Sequence, residues 1–371
     1  MTATPYSQLV YRIALASMQG MGIDLARKLL DVVGSEERFF AMSEKDLRDL
    51  TRGRSKIYSD AYRGDCLNRA VREEAFVHEH GISAVYYTDE AYPRRLLEAP
   101  DAPAMIYTLG QCDLESRHVI SVVGTRHATQ YGIRFCDALI GDLAQRLPGL
   151  VVVSGLAYGI DIAAHRAALK HGVPTVAVLP RGLNRIYPAV HRNDAIAIAK
   201  RGGMLLTDYT SQDAVQKSNF LARNRIVAAL SDCTVVVESA GSGGALVTAS
   251  LAMSYNRDVM AVPGRCGDEF SAGCNKLIAT SKAALITGAD DLMAAMRWEG
   301  ASQQPRQLDL FPELTVEEQA VVDVIRHQGE VHINALADAL GQPVYKLMSV
   351  LVELDCKNVI ATLPGCRYTI A

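Results

Sequence analysis

The sequence predicts an α/β protein built on a Rossmann-like, doubly wound and mainly parallel sheet. Between residues 118 and 293, short runs rich in β-branched residues are separated by helical stretches. Inside each run the residues are almost all apolar, and polar residues do not occupy every second position. Such runs are typical of strands that helices cover on both faces. Twice, in ISVVGTRHATQYG and in VVVSGLAYGID, a run stops at small residues and opens a helix. These two loops mark the predicted ligand edge, at the carboxyl ends of the strands.

The composition narrows the classes of protein to consider. At 371 residues the chain is long for one hydrophobic core, so two or three domains are expected. Apolar residues make up 49% of the sequence and charged residues 21%, with a formal net charge of −3. These values are ordinary for a soluble globular protein and provide no global basic field. Binding to nucleic acid would therefore have to rest on local clusters of cations.

The cysteines and the apolar runs indicate the cellular setting. The eight cysteines form no C-x-x-C pair, which argues against a zinc site. Several lie inside apolar runs, as reduced core cysteines do, and this predicts a cytoplasmic protein. The N-terminal MTATPYSQLVYR lacks the apolar core of a signal sequence, and no run approaches about 18 uninterrupted apolar residues. We therefore expect no membrane span and no bound metal.

Residues 1–80 are predicted to form a helical domain. Helical runs lie on either side of a Met-Gly turn in GMGIDLARKLLDVVGS, a pattern that resembles helix-hairpin-helix or sterile-alpha-motif-like modules. Such a hairpin can hold DNA backbone through its turn, or can serve only for packing and docking. From Gly81, the strand-like pieces SAVYY and AMIYTLG flank three prolines that forbid a long helix.

Residues 81–297 are predicted to form the Rossmann-like core. The helical stretches IDIAAHRAALKHG and GALVTASLAMSYN supply crossovers between parallel strands. The strand candidates after residue 117 are VISVV, LVVVSG, PTVAVLP, GMLLTDY, CTVVVES and DVMAVPG, with LITGA closing the set.

The C-terminal part is predicted to be a linker followed by a winged helix. Residues 298–314 are polar and aperiodic, which favours a linker. In 315–371, Thr315 and Glu318 form a capping box before three helical pieces, and a hairpin with a Pro364-Gly365 turn ends the chain. The third helix carries only one cation, Lys346, whereas a DNA-reading helix normally holds several Arg, Lys, Asn or Gln. We therefore favour a protein-contact role for this domain.

The first two strand-end loops contain candidate phosphate ligands. Because Gly124 has no side chain, the protein backbone there can approach a phosphate closely. Arg126 can donate two hydrogen bonds to the same phosphate. Ser154 can donate a hydrogen bond, and Gly155 leaves room for a ligand. The loop of Gly124 and Arg126, taken alone, is equally compatible with an ordinary turn between a strand and a helix.

Several catalytic and cofactor motifs are missing from these loops. The G-x-G-x-x-G fingerprint has only its first glycine in place, so a dinucleotide cofactor is disfavoured. Val152 occupies the first glycine position of a nucleophile elbow. Asp161 and His165 share a helix face at i and i+4, which favours a structural pair over a catalytic one. We expect no catalytic residue and no cofactor.

The stretch KSNFLARNR gives the sharpest local signal, because cations there surround an aromatic ring. Lys217, Arg223 and Arg225 would bind phosphates, and Phe220 would stack on a base, as single-stranded nucleic acid requires. An amphipathic helix with Phe220 buried explains the same stretch if it is read alone. A further loop, PRGLNRIYPAVHRN, adds Arg181, Arg185, His191 and Arg192.

Taken together, these strings resemble the DNA processing protein A family, also called Smf or DprA. The strings VVGTR with YG, SGLAYGIDIAAH, RGLNRIYPAVHRN, FLARNRIVAALSD, GSGGALVTA and VPGRCGDEFSAGCNKLI occur in order over about residues 85–285. Two positions depart from the family pattern. Leu221 stands where proline is usual, and GSGGALVTA lacks the bulkier or basic residue that often precedes its Ser-Gly pair.

The resemblance implies a core that binds and protects single-stranded DNA, associates with itself and loads the RecA recombinase during natural transformation. It implies no catalysis. The binding positions that carry over are Arg126 of the GTR string and Lys217 and Phe220 of KSNF. Neighbouring positions of the SG and RNR strings belong to the same surface by analogy, namely Ser154, Gly155, Arg223 and Arg225.

Two other functions remain open at this stage. The first is a nucleotide-processing, phosphoribohydrolase-like enzyme on a related sheet, although GSGGALVTA lacks the leading proline and closing glutamate of the P-G-G-x-G-T-x-x-E motif. The second is a docking scaffold for which DNA binding is incidental, and this role is compatible with single-strand binding.

Overall fold

The computed structural model of the chain describes residues 6–298 and 314–371. The predicted linker falls almost wholly on residues 299–313, outside the described ranges. No helix within those ranges is long and apolar enough to span a bilayer.

The first described segment is helical. Serine side chains cap three of its helices: Ser7, Ser35 and Ser43 each accept a hydrogen bond from a backbone N–H three residues later, at 3.1 Å. Gly34, at φ +103°, ends the second helix in a conformation that side chains disfavour. The helices are α1 (Gln8–Ala16), α2 (Ile23–Val33), α3 (Glu36–Ala41), α4 (Glu44–Thr51) and α5 (Asp60–Glu79).

This helical segment packs directly against the sheet domain. On α5, Arg69 pairs with Asp213 at 2.6 Å, and both carboxylate oxygens of Glu73 accept hydrogen bonds from the N–H of Ser211 at 2.9 and 3.0 Å. Gly22, before α2, forms an isolated bridge with Pro103. The helices therefore share one large hydrophobic cluster with the sheet.

The central sheet has nine strands in the order β1-β2-β6-β5-β4-β3-β7-β8-β9. Seven neighbouring strands run parallel to one another, in the spatial order β6-β5-β4-β3-β7-β8-β9. Strand β2 pairs antiparallel with both β1 and β6. The strands are β1 (Ser83–Tyr86), β2 (Met105–Gly110), β3 (Val119–Gly124), β4 (Val151–Ser154), β5 (Thr175–Val178), β6 (Met204–Thr207), β7 (Cys233–Glu238), β8 (Asp258–Ala261) and β9 (Ala284–Leu285).

The predicted Rossmann-like fold is confirmed, and all the strand candidates lie in this one sheet. The pieces SAVYY and AMIYTLG form its antiparallel edge, β1 and β2. The last strand is shorter than LITGA and begins earlier, at Ala284. The helices of the core are α6 (Arg94–Leu97), α7 (Gln130–Arg146), α8 (Ile160–Lys170), α9 (Arg192–Lys200), α10 (Lys217–Ala222), α11 (Asn224–Ala229), α12 (Gly244–Ser254), α13 (Ala272–Ala279) and α14 (Ala289–Met296).

Helices cover both faces of the sheet. On β3, Ile120 and Val122 point into a cluster with α7, α8 and α14, whereas Val119 and Val123 point into the cluster that holds α11 and α12. The chain runs from β3 outward to β6 on one side and returns to β7 on the other. The strand order therefore reverses next to β3, which places a ligand crevice at the carboxyl end of that strand.

The opposite, amino-terminal end of β3 is held by a buried ion pair. Nε of Arg95, in α6, donates to Asp232 Oδ1 at 2.6 Å, and the Val119 N–H donates to Asp232 Oδ2 at 2.8 Å. Arg95 also donates to the carbonyls of Leu114 and Ser116. The pair thus joins α6 to the starts of β3 and β7.

The C-terminal segment has the helices and hairpin of a winged helix. The predicted capping box of Thr315 and Glu318 is present, with both reciprocal hydrogen bonds. Tyr345, Met348 and Val352 are exposed along one face of the third helix, the first of them by 73%. The elements are α15 (Val316–Gln328), β10 (Val331–His332), α16 (Ile333–Leu340), α17 (Val344–Cys356), β11 (Ile360–Leu363) and β12 (Arg367–Ile370).

The hairpin of this segment rests against the core. Glu98 accepts from Arg257 of the core and from Arg367 of β12, each at 2.6 Å. Arg297 donates to the Thr362 carbonyl at 3.2 Å, and the Gly365 N–H at the turn donates to the Asp258 carboxylate. The hairpin turn is therefore in contact with the amino-terminal end of β8.

The buried Arg95–Asp232 pair gives a prediction about stability. Asp232→Asn keeps the size of the side chain but leaves the Arg95 guanidinium buried without its counter-charge, which should lower the free energy of unfolding by about 3–5 kcal/mol. Urea unfolding followed by circular dichroism measures this. The matched control is Asp290→Asn, because Asp290 pairs with Arg146 while 88% exposed. We expect that change to stay within about 1 kcal/mol, and equal losses in both variants would contradict the prediction.

Candidate nucleic-acid interface

A pocket of about 540 Å³ opens at the carboxyl end of β3. It lies where the strand order reverses, as the topology requires. Its walls come from the loop after β3, the loop after β7 and helix α10. The residues that line it include Gly124, Thr125, Arg126, His127, Tyr187, Lys217, Phe220, Ser242, Gly243 and Thr248.

Arg126, Lys217 and Phe220 meet in this pocket. The guanidinium carbon of Arg126 lies 5.7 Å from the centre of the Phe220 ring, a cation–π distance. Arg126 and Lys217 are exposed, and neither has an ion-pair partner among residues 6–298 and 314–371. The Phe220 ring is half-buried rather than enclosed in the core. The pocket therefore presents two exposed cations, neither of them in a salt bridge within the described residues, beside one accessible aromatic face.

Glycine at position 124 is required by packing around the strand end. A Cβ there would come within 2.5 Å of the Ile160 side chain and 2.9 Å of the Glu238 carbonyl. Gly159, at φ +77°, is equally constrained, since a Cβ would lie 2.1 Å from the Thr125 carbonyl. These glycines let α8 and β7 close tightly against the loop that carries Arg126. Gly124 lines the pocket, and its lack of a side chain also leaves the space that Ile160 and the Glu238 carbonyl occupy.

Three of the predicted site residues are buried, although Arg223 is among the residues that line the pocket. Ser154 is fully buried, and its hydroxyl donates to the Val122 carbonyl at 2.7 Å, so it is not available to a ligand in this arrangement. Arg223 is 4% exposed and donates to the carbonyls of Gly155 and Val178. A Cβ at Gly155 would lie 2.2 Å from the Arg223 guanidinium. Ser154 and Gly155 are therefore not among the residues that line this pocket, where the sequence placed them, whereas Arg223 lines it while almost wholly buried.

Arg225 also occupies a different place from the one predicted. Its guanidinium pairs with the Asp208 carboxylate at 2.5 Å and donates to the Asp101 carbonyl. Its side chain is 20% exposed and faces away from the pocket that holds Arg126, toward the α1–α2 turn. Arg225 therefore ties the start of α11 to the loop before β2.

Asp161 and His165 are both buried but are not hydrogen-bonded to each other, so the predicted pair is wrong. The Asp161 carboxylate accepts from the Ala157 N–H at 3.3 Å; burial raises the pKa of Asp161, and the Arg223 guanidinium opposes that shift. His165 Nδ1 lies 2.8 Å from Thr175 Oγ1, whose own hydrogen goes to the Val152 carbonyl. Nδ1 must therefore be the donor, which leaves Nε2 unprotonated.

Tyr187 is a pocket residue that the sequence reasoning missed. Its ring meets the Phe220 ring edge to face, with centroids 5.3 Å apart, and it is 45% exposed. The sequence-based prediction for the stretch PRGLNRIYPAVHRN names only its arginines and His191. The combination of an aromatic with neighbouring arginines, which singled out KSNFLARNR, would have found Tyr187 as well.

Comparison with known proteins identifies the family. A family model described as DNA recombination-mediator protein A matches residues 83–297, which contain every pocket residue named above. The chain is a member of the DNA recombination-mediator protein A family. Within this family it is 34% identical over 291 residues to Protein Smf of Escherichia coli strain K12, covering 74% of each chain.

Solved structures support the same assignment. The chain resembles the crystal structure of DNA processing protein A (DprA) from Streptococcus pneumoniae with a TM-score of 0.64 and 30% identity, over 78% of this chain and 98% of that one. It also resembles DNA processing protein A from Helicobacter pylori, solved to show a single-stranded DNA binding mode, with a TM-score of 0.53 and 29% identity. That match covers 59% of this chain and 96% of the other.

The buried His165 gives a prediction about pH. Burial lowers its pKa from 6.5 to about 3, so below about pH 6.5 the unfolded chain binds a proton that the folded chain does not. Stability should therefore fall as the pH drops, by up to about 1.4 kcal/mol per pH unit. His165→Gln removes this titration, so its unfolding free energy should fall less steeply between about pH 6 and about pH 4. Urea titrations at several pH values measure both slopes, and parallel slopes would show that His165 does not contribute.

Proposed function

We propose that this family member binds single-stranded DNA in the pocket at the end of β3, without sequence preference. The observation that carries the proposal is the meeting of Arg126, Lys217 and Phe220 in one pocket of about 540 Å³. Cations that pair with phosphates and a ring that stacks on a base are the two contacts that unpaired strands need. Both tolerate every base, because all bases have an aromatic face and all nucleotides a phosphate.

The surroundings of the pocket support a role for each of the other predicted residues. Gly124 holds the Arg126 loop close to its neighbours, while Ser154, Gly155 and Arg223 form the layer beneath. In this proposal they position the binding residues and do not touch DNA. Arg225 positions α11 through Asp208.

We propose no catalytic step. The Ser154 hydroxyl is committed to a backbone carbonyl, and His165 bonds to Thr175 instead of to a carboxylate. Neither is therefore arranged as an activated nucleophile and its base. No observation favours the phosphoribohydrolase-like alternative.

Membership of the recombination-mediator family supports a wider role. In this proposal the chain acts in the cytoplasm as a homodimer, protects incoming single strands and loads a RecA-type recombinase onto them during natural transformation. The exposed apolar face of α17 fits a protein-contact role for the winged helix, since Tyr345, Met348 and Val352 offer no charge to DNA.

The binding proposal predicts the effect of removing either pocket cation. Arg126→Ala and Lys217→Ala should each weaken binding of a fluorescent oligothymidylate roughly tenfold, about 1.4 kcal/mol. Each should also reduce the slope of log affinity against log salt by about 0.7, because one phosphate contact is lost from a single strand. Fluorescence anisotropy at several salt concentrations measures both effects.

The matched control is Arg201→Ala. Arg201 is an exposed cation between α9 and the amino-terminal end of β6, whereas the pocket opens at the carboxyl end of β3. It removes the same charge from the chain and should leave affinity unchanged. Equal losses in all three variants would point to net charge instead of the pocket, and unchanged affinity in the two pocket variants would reject the site.

The loading proposal predicts a faster start of recombinase filaments. Wild-type chain should shorten the lag of RecA filament formation on strands that are already coated with single-strand binding protein. Phe220→Ala should lose this effect, because the chain no longer holds the strand. Light scattering of the free chain should give twice the monomer mass of 40.2 kDa. An unchanged lag with wild-type chain would contradict recombinase loading while leaving DNA binding intact.

A further inference from the structure

An aromatic and cationic surface continues beyond the pocket, on the side of the loop between β5 and α9. Tyr158 and Tyr187 are 48% and 45% exposed, although tyrosine normally buries most of its ring. Together with Arg126 and Phe220 they surround a recess of only about 20 Å³. That volume cannot admit a base, so bases would have to lie across the rings.

Both tyrosine rings pack against a neighbouring ring. The Tyr158 ring meets the ring of His191 at 5.1 Å, and His191 is fixed by a 2.9 Å contact between its Nδ1 and the Leu156 carbonyl. Tyr187 rests edge-on against Phe220. Rings that are already ordered lose little conformational freedom when a base stacks on them, which favours binding.

Two arginines of the same loop, Arg181 and Arg185, form no salt bridge within the described part of the chain. Burial, and then the charge of Arg185, lowers the pKa of Arg181, and Arg181 Nε is buried without a hydrogen-bond partner. An anion placed between these arginines would relieve the repulsion.

The loop that carries the arginines is pinned to the sheet. The Asn184 amide donates to the Ser211 carbonyl at 2.8 Å, and a Cβ on Gly182 would lie 2.3 Å from the Thr210 carbonyl. Arg181 and Arg185 therefore sit on a fixed loop, the one that also carries Tyr187, and not on a loose surface segment.

We propose that the bound strand leaves the pocket across Tyr187 and Tyr158, and that Arg181 with Arg185 holds its next phosphate. This gives the chain a second nucleotide subsite, for an unpaired polynucleotide that extends past Phe220. The inference rests on the proposed single-strand binding. Duplex DNA does not fit the subsite, because paired bases cannot lay their faces on the two rings.

The subsite predicts a dependence on strand length. Oligothymidylates of about 4 nucleotides fill the pocket alone, whereas strands of about 12 reach the second subsite. Tyr158→Ala should weaken binding of the longer strand roughly fivefold to a hundredfold and leave the shorter unchanged. Arg181→Ala should act on the longer strand only and lower its salt slope by about 0.7. Lys217→Ala should weaken both lengths.

Two further variants separate stacking from indirect effects. Tyr158→Phe keeps the ring and should bind the longer strand as wild type does. Tyr187→Ala should weaken the longer strand more than the shorter. An equal loss at both lengths would mean that Tyr187 only orients Phe220 and would remove it from the subsite.

Anisotropy titrations of both lengths decide between the possible outcomes. If Lys217→Ala weakens binding but Tyr158→Ala and Arg181→Ala match wild type on the longer strand, the second subsite is wrong and the proposed function stands. If wild-type chain binds neither length, the proposed function fails, and the subsite fails with it.

Discussion

The candidate site depends on one buried guanidinium. Arg223 donates to the Gly155 and Val178 carbonyls, which follow or end β4 and β5, while its own backbone joins α10 to α11. It therefore fixes the helix of Lys217 and Phe220 against the sheet edge. Because an unpaired buried guanidinium is costly, the carbonyls and the nearby Asp161 make this one arrangement strongly preferred. The exposed cations of the pocket can remain without ion-pair partners because water solvates them.

Much of the fold was predictable because burial imposes a simple pattern. Strands β3 to β8 are covered on both faces, so their sequences are continuous apolar runs that stand out from their surroundings. The position of the two antiparallel strands in the sheet was harder to predict, since nothing in SAVYY or AMIYTLG specifies which strands these segments pair with. Register and partner depend on contacts distant in sequence, such as Tyr107 with Thr207 of β6.

The site was predicted less completely, for a different reason. Within ARNR, Arg223 and Arg225 look alike in the sequence. Whereas Arg126 and Lys217 are exposed, Arg223 is buried and the Arg225 side chain is only 20% exposed. Their positions depend on acceptors elsewhere in the chain, the Val178 carbonyl and Asp208. A charged residue is normally exposed, so sequence reasoning assigns it to the surface unless its buried partners are known. Tyr187 was not predicted because only the cations of PRGLNRIYPAVHRN were considered as candidate ligands.

The position of the winged helix has a consequence for how many partners the chain can hold at once. Its hairpin touches Glu98 and Asp258 near the amino-terminal ends of the strands, whereas the pocket opens at their carboxyl-terminal ends. A protein seated on the outward face of α17 would therefore not compete with a strand seated beside Phe220. A ternary assembly of the chain, a single strand and that protein would therefore need neither ligand to be displaced.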